Sequence, residues 1–198
     1  MTKKSARTMS RYALLLVLAL TACSNASQGP PSRAENACEI KRERPSWFKA
    51  MEKTEKRWGA PVPVQLATFY QESSFEPRAR TPRTYALGFI PTGRVSSAYG
   101  YAQAIDGTWE WYQDETGRNY AKRHKFHDAS DFMGWYMAKT VKTNGVHPND
   151  AYRQYLAYHE GHSGYARGSY NSKAWLQNVA AKVQRRADTY AEQLRYCP

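Results

Sequence analysis

Acidic side chains are in short supply in this sequence: 17 Asp and Glu stand against 29 Lys and Arg in 198 residues, a formal net charge of +12. Cysteine is scarcer still, at three. The histidines His124, His127, His147, His159 and His162 include two close pairs, but neither forms H-E-x-x-H and neither has a cysteine nearby, so no metal site is expected. There is no Gly-rich phosphate loop and no G-x-S-x-G elbow, which leaves a serine-nucleophile hydrolase without support. No cofactor is expected. No internal repeat is visible, and the one strongly apolar run, Tyr12 to Leu20, is too short for a permanent membrane-spanning helix, which needs roughly 20 apolar residues.

What the N-terminus does have is Lys3, Lys4, Arg7 and Arg11, that apolar run, and then Leu20-Thr21-Ala22-Cys23. Basic, apolar and small residues in that order read as a secretory signal peptide over residues 1–22. Leu-Thr-Ala-Cys resembles a bacterial lipobox, which implies that Cys23 becomes the lipidated first residue of the mature chain. An ordinary cleaved signal with an incidental cysteine is the alternative. Ser24, rather than an aspartate, follows the cysteine. By the same resemblance the protein is expected in the periplasm, lipid-anchored at the inner leaflet of the outer membrane.

With Cys23 assigned to lipid, Cys38 and Cys197 remain near the two ends of the folded part, in an oxidising compartment. A disulfide between them is expected, with two unpaired thiols as the alternative. Removing the four leader charges leaves +8 of the +12, so an acidic neighbour is expected. An exported chain rarely meets nucleic acid, and no nucleic-acid partner is expected. Peptidoglycan, whose stem peptides carry carboxylates, fits better; a merely solubilising basic surface is the bland alternative.

Residues 23–44 are rich in Ser, Asn, Gln, Gly, Pro and charge, include Gly29-Pro30-Pro31, and read as a flexible tether. Residues 45–198 read as one domain, of a size that supports a single core, and a monomer is expected.

Helical signals outnumber strand signals within it. Val62, Leu66, Phe69 and Tyr70 recur at helical spacing after Pro61 and Pro63, which suit a first turn. Glu72 then falls at the helix C-terminus, where the helix dipole disfavours a negative charge and pushes the carboxyl toward its protonated form. Asp106 is a candidate cap for a helix holding Trp109 and Tyr112, and Asp128 or Ser130 for one holding Phe132, Trp135, Tyr136 and Lys139. That helix is expected to break at Asn144-Gly145.

Asn149 or Asp150 opens a run placing Tyr152, Tyr155, Leu156 and His159 on one face and ending at Gly161. The last helix carries Trp175, Val179, Val183, Ala187, Tyr190 and Leu194 as a core stripe. Between Pro77 and Ser97, Leu87 to Ile90 suggests a short strand. The fold expected is mainly α, with a small β or loop insertion.

Three strings carry chemistry. E-S-S-F-E-P-R-A runs from Glu72 to Ala79, Gly100-Tyr101-Ala102-Gln103 follows, and A-Y-H-E-G runs from Ala157 to Gly161. Their order and residue types resemble the lytic transglycosylases of the soluble-lytic-transglycosylase type, whose patterns are E-S-x-F-x-P-x-A, G-x-x-Q and A-Y-N-A-G. The resemblance spans most of Pro63 to Gly164. His159 and Glu160 stand where asparagine and alanine are usual, and the interval from Glu72 to Gln103 is longer than usual.

The resemblance implies a lysozyme-like single catalytic domain that cleaves the glycan of peptidoglycan. It implies that Glu72 is the catalytic acid and base and that Ser73 orients groups beside it. It further implies that Gly100 admits a close backbone approach to the sugar, that Gln103 hydrogen-bonds an acetamido group, and that Tyr158 sets its hydroxyl near the Glu72 carboxyl. Tyr101 and His159 are further candidate substrate contacts. Tyr99, Tyr101, Trp109 and Trp111 offer flat faces for sugar rings or, equally, a core.

Two other readings remain open. One is a hydrolytic muramidase using Glu160 or Asp106 as a second carboxylate to activate water. The other is a wall-binding lipoprotein without turnover.

Overall fold

The computed structural model describes residues 29–197. The signal peptide at 1–22, the lipidation site Cys23 and the first part of the expected tether lie outside the described residues. Seven helices and one hairpin make up the described chain: α1 (Ala37–Glu43), α2 (Pro45–Trp58), α3 (Val62–Ser73), β1 (Arg83–Ala86), β2 (Ile90–Arg94), α4 (Asp106–Thr116), α5 (Phe126–Asn144), α6 (Ala151–Ala166) and α7 (Ala174–Arg195). The chain is mainly α, as the periodicity suggests.

The tether ends earlier than the boundary at 44. Asn36 caps α1 by accepting from the Cys38 and Glu39 amides at 3.0 and 3.1 Å, while Ala37 and Ile40 are buried. Cys38 is bonded to Cys197 across 159 residues of sequence, and the Ala37 amide donates to Gln193 Oε1 at 2.7 Å. Composition reads the segment as linker, but pairing with the far end of α7 gives it a place to fold.

Helix α5 is the central element, packed against α2, α3, α4 and α6, and α7 crosses α1, α3 and α6. The α2 and α5 backbones approach so closely that a Cβ on Gly134 would lie 2.2 Å from Thr54 Cγ2. Beside that crossing the Thr54 and Ser130 hydroxyls are 2.9 Å apart, Ser130 donates to Gln65 Oε1 at 2.8 Å, and Gln65 Nε2 donates to the Met51 and Ala60 carbonyls. Each buried polar group in this chain of bonds has a partner, which is the condition for its burial to be tolerated. A second cluster joins Asp131 to Arg57, the Trp58 indole and the Tyr112 hydroxyl.

Helix ends follow local chemistry in most places. Asp150 caps α6 by accepting from the Arg153 amide at 2.9 Å, and Gly145 ends α5 in the left-handed region at φ 67. Helix α5 begins before the expected cap: Lys125 is its N-cap, and Asp128 lies one turn inside. The Asp128 carboxylate turns back to accept from the Lys122 amide and Arg118, which fixes the preceding loop.

Two expectations are corrected by tertiary packing. Leu87 to Phe89 form the turn of the hairpin and not a strand, since β1 and β2 pair on either side of them. In α7 the buried stripe is Leu176, Ala180, Val183, Ala187 and Tyr190, whereas Trp175 is 56% exposed. On the first turn of this helix it is Leu176 that turns into the core, while its neighbour Trp175 faces outward beside His159.

Candidate active site

Glu72 is the penultimate residue of α3, and the chain leaves that helix through two consecutive left-handed residues, Ser74 at φ 50 and Phe75 at φ 63. That conformation is costly for a residue as bulky as phenylalanine. It is held because the Phe75 ring is fully buried and stacks on Trp47 at 5.7 Å. The strained exit fixes where α3 stops, and therefore where its last carboxylate stands.

Glu72 lines a cleft of about 570 Å³. Across from it are Gln103 and, from α6, Tyr158, His159 and Glu160, with Thr81 and Ser96 at the base of the hairpin forming part of the rim. Burial pushes the Glu72 carboxyl up to about 7, and a hydrogen bond from the Tyr155 hydroxyl pulls the other way. The same burial, together with the Glu72 charge, raises the Tyr155 phenol, so this hydroxyl remains a donor at neutral pH. A carboxyl balanced near neutrality can both deliver and recover a proton.

The tyrosine in contact with the carboxyl differs from the one indicated by the motif. Burial raises the Tyr158 phenol and the nearby Glu72 charge raises it further, but its hydroxyl donates to the Ala102 carbonyl. That bond ties α6 to the turn carrying Gln103. Tyr155, one helical turn earlier, has the carboxyl, and its place on the same helix face as Tyr152 and His159 was the available signal.

The remaining motif residues divide into cleft and scaffold. Gln103 adopts φ 48, and its side-chain nitrogen donates to the Gly100 and Ala79 carbonyls at 2.8 and 3.1 Å. This bracing turns the residue into the cleft with its amide orientation fixed. Ser73 does not line the cleft: its hydroxyl donates to the Tyr101 carbonyl at 2.8 Å, joining the end of α3 to the Gln103 turn.

Gly100 is required by protein packing, not by an approaching sugar. At φ 79 its missing Cβ would lie 2.2 Å from the Arg123 carbonyl oxygen, where no side chain fits. Tyr101 belongs to the core, edge-on to Trp47 and Phe126, and Trp109 is likewise buried. Tyr99 is flanked by the Arg80 and Arg123 guanidinium groups at 4.3 and 5.5 Å, and Trp111 packs against Trp135.

His159 and Glu160 form the far wall. The Glu160 side chain is only 4% exposed and pairs with Lys173 Nζ at 2.7 Å, with further bonds from Ser169 and His159 Nδ1. Burial alone would raise this carboxyl, but the bonds from Lys173, Ser169 and His159 outweigh it and hold it at about 2. Glu160 is therefore a fixed anion whose two oxygens are both occupied. The other candidate second carboxylate, Asp106, pairs with Arg123 at 2.7 Å. His159 stands edge-on to the exposed Trp175 at 5.2 Å, which extends the wall with an aromatic face that the helix periodicity had assigned to the core. Among the described residues no three His, Cys, Asp or Glu gather as metal ligands.

A family model described as "Transglycosylase SLT domain" matches residues 11–197. No curated protein matches the chain.

Proposed function

Because the chain belongs to the transglycosylase SLT domain family, lytic transglycosylases that act on peptidoglycan in the periplasm, we propose that Glu72 is the acid and base of a cleavage that ends in a 1,6-anhydromuramic product. The observation that carries this reading is a single carboxyl raised to about 7 in a cleft whose other carboxylate is locked in an ion pair.

In the first step the protonated Glu72 donates to the glycosidic oxygen between N-acetylmuramic acid and N-acetylglucosamine. The bond from C1 to that oxygen breaks, and the positive charge at C1 is shared with the ring oxygen and the neighbouring acetamide. Glu72 is now a carboxylate, the form that the Tyr155 hydroxyl favours by donating to it. In the second step this carboxylate takes the proton of the muramyl C6 hydroxyl, whose oxygen bonds to C1 and closes the anhydro ring. Glu72 returns to its acid form and no water is consumed.

Gln103 orients the substrate through its braced amide. Gly100 and Ser73 act from behind it by setting the turn. Hydrolysis by a second carboxylate is disfavoured because Glu160 has no free oxygen with which to activate water.

The test is mass spectrometry of peptidoglycan digested by the wild type and by Glu72→Gln. Anhydromuramic ends from the wild type and none from the variant support the reading. Reducing muramic ends would assign a hydrolase, and equal behaviour of the two proteins would assign a binding module. The lipid anchor at Cys23, the outer-membrane location and the monomeric state belong to the same proposal. Loss of membrane fractionation in Cys23→Ala checks the anchor. No helix among the described residues is long and apolar enough to cross a membrane.

A further inference from the structure

The hairpin β1–β2 is the least buried part of the described chain. All nine strand residues are exposed on both faces of the ribbon. Its turn carries Leu87 at 83% and Phe89 at 73% exposure, with Tyr85, Ile90 and Val95 also exposed beside them. Single exposed apolar residues are ordinary, but five large ones within eleven residues are not.

The charge around this tip has one sign. Between Pro77 and Ser97 there are four arginines, Arg78, Arg80, Arg83 and Arg94, and no acid. None of the four forms an ion pair with another described residue. Arg83 and Arg94 are also direct cross-strand partners in the register, which sets two like charges on neighbouring strands, the Arg94 guanidinium donating to the Thr81 carbonyl at the hairpin base.

We propose that this hairpin docks on an anionic lipid bilayer surface, with Leu87, Phe89 and Ile90 inserted at the level of the upper acyl chains and Arg83 and Arg94 against the headgroups. An apolar tip above a basic collar is the distribution that an interface between hydrocarbon and anionic headgroups accepts. A protein partner would cover one face of so narrow a ribbon and leave the other in water. Lipid surrounds the tip and accommodates both faces. Thr81 and Ser96 at the hairpin base also line the cleft, so seating the tip would set the height and tilt at which the cleft meets the glycan above the membrane. The inference does not depend on the role given to Glu72.

Hydrogen–deuterium exchange on the full-length chain tests it at the hairpin itself, because every protein compared carries the same N-terminal segment. With phosphatidylglycerol vesicles the amides of residues 85–90 are expected to exchange about tenfold more slowly or better. Phosphatidylcholine vesicles should leave them unchanged. The protection should disappear in Leu87→Ser/Phe89→Ser, fall with added salt in the wild type, and become weaker and less salt-sensitive in Arg83→Gln/Arg94→Gln. All four side chains are exposed, so both variants should keep the wild-type fold. Unchanged hairpin exchange with anionic vesicles overturns the proposal, as does equal protection by phosphatidylcholine. Protection by soluble glycan fragments in place of vesicles would make the hairpin a flap over the cleft.

Discussion

The Tyr155 hydroxyl hydrogen-bonds the Glu72 carboxyl, joining the end of α3 to the first half of α6. This bond favours the ionised carboxylate, whereas burial favours the neutral acid, and burial prevails.

Tyr155→Phe removes the contribution that lowers the Glu72 pKa. The acid step needs protonated Glu72, so kcat/KM falls as pH rises through about 7 in the wild type. In the variant that falling limb moves to higher pH. The carboxylate formed after proton donation also loses its donor, and kcat is expected to drop by about ten- to a hundredfold, the worth of a hydrogen bond to a charged group. Turbidity assays on peptidoglycan from pH 5 to 9 measure both effects.

Glu72→Gln should abolish turnover while stabilising the fold in alkaline solution. The folded carboxyl titrates at about 7 against an ordinary 4.5. Folded and unfolded states are equally protonated below 4.5, so there is no penalty there. As pH rises from 4.5 through about 7 the unfolded chain ionises first and wild-type stability is lost. At pH 8 the variant is expected to exceed the wild type by roughly 2 kcal/mol, allowing for the partial solvent contact of the carboxyl, and at pH 4 the two should match. Urea unfolding at the two pH values provides the comparison.

Glu160→Gln should leave anhydromuramic product formation in place, because this carboxylate holds a wall and does not take part in the chemistry. Lys173→Met, in contrast, strands a buried anion and should cost about 2 kcal/mol in thermal or chemical unfolding, less than a fully buried pair because Lys173 is itself partly exposed. Reducing muramic ends from the wild type that are lost in Glu160→Gln would revive the hydrolytic reading.

Gly100→Ala brings a methyl group into the Arg123 carbonyl and imposes a disfavoured backbone at φ 79. A loss of about 2 kcal/mol is expected. The turn carrying Gln103 should shift with it, raising KM for glycan more than it lowers kcat. Steady-state kinetics beside a melting curve separates the two consequences.

Much of this architecture is visible in the residues alone. Period-3.6 apolar spacing marks α3 and most of α7, Asn144-Gly145 marks the end of α5, and Asp150 marks the start of α6. The order of E-S-S-F, G-Y-A-Q and A-Y-H-E-G is enough to identify the family. These features depend on local propensity or on residue type in sequence order, and neither needs knowledge of what lies opposite.

What the sequence could not decide is which of several similar side chains faces which neighbour. Tyr155 and Tyr158 lie one helical turn apart on α6, and only the packing of α6 against α3 and the Gln103 turn gives the carboxyl to one and the Ala102 carbonyl to the other. Composition made residues 23–44 a linker, but in its described part pairing with a helix end 159 residues away supplies core contacts. The neutral-range Glu72 has the same origin. Its place at a helix end follows from local sequence, but its raised pKa comes from desolvation, which exists only once distant segments have closed around it.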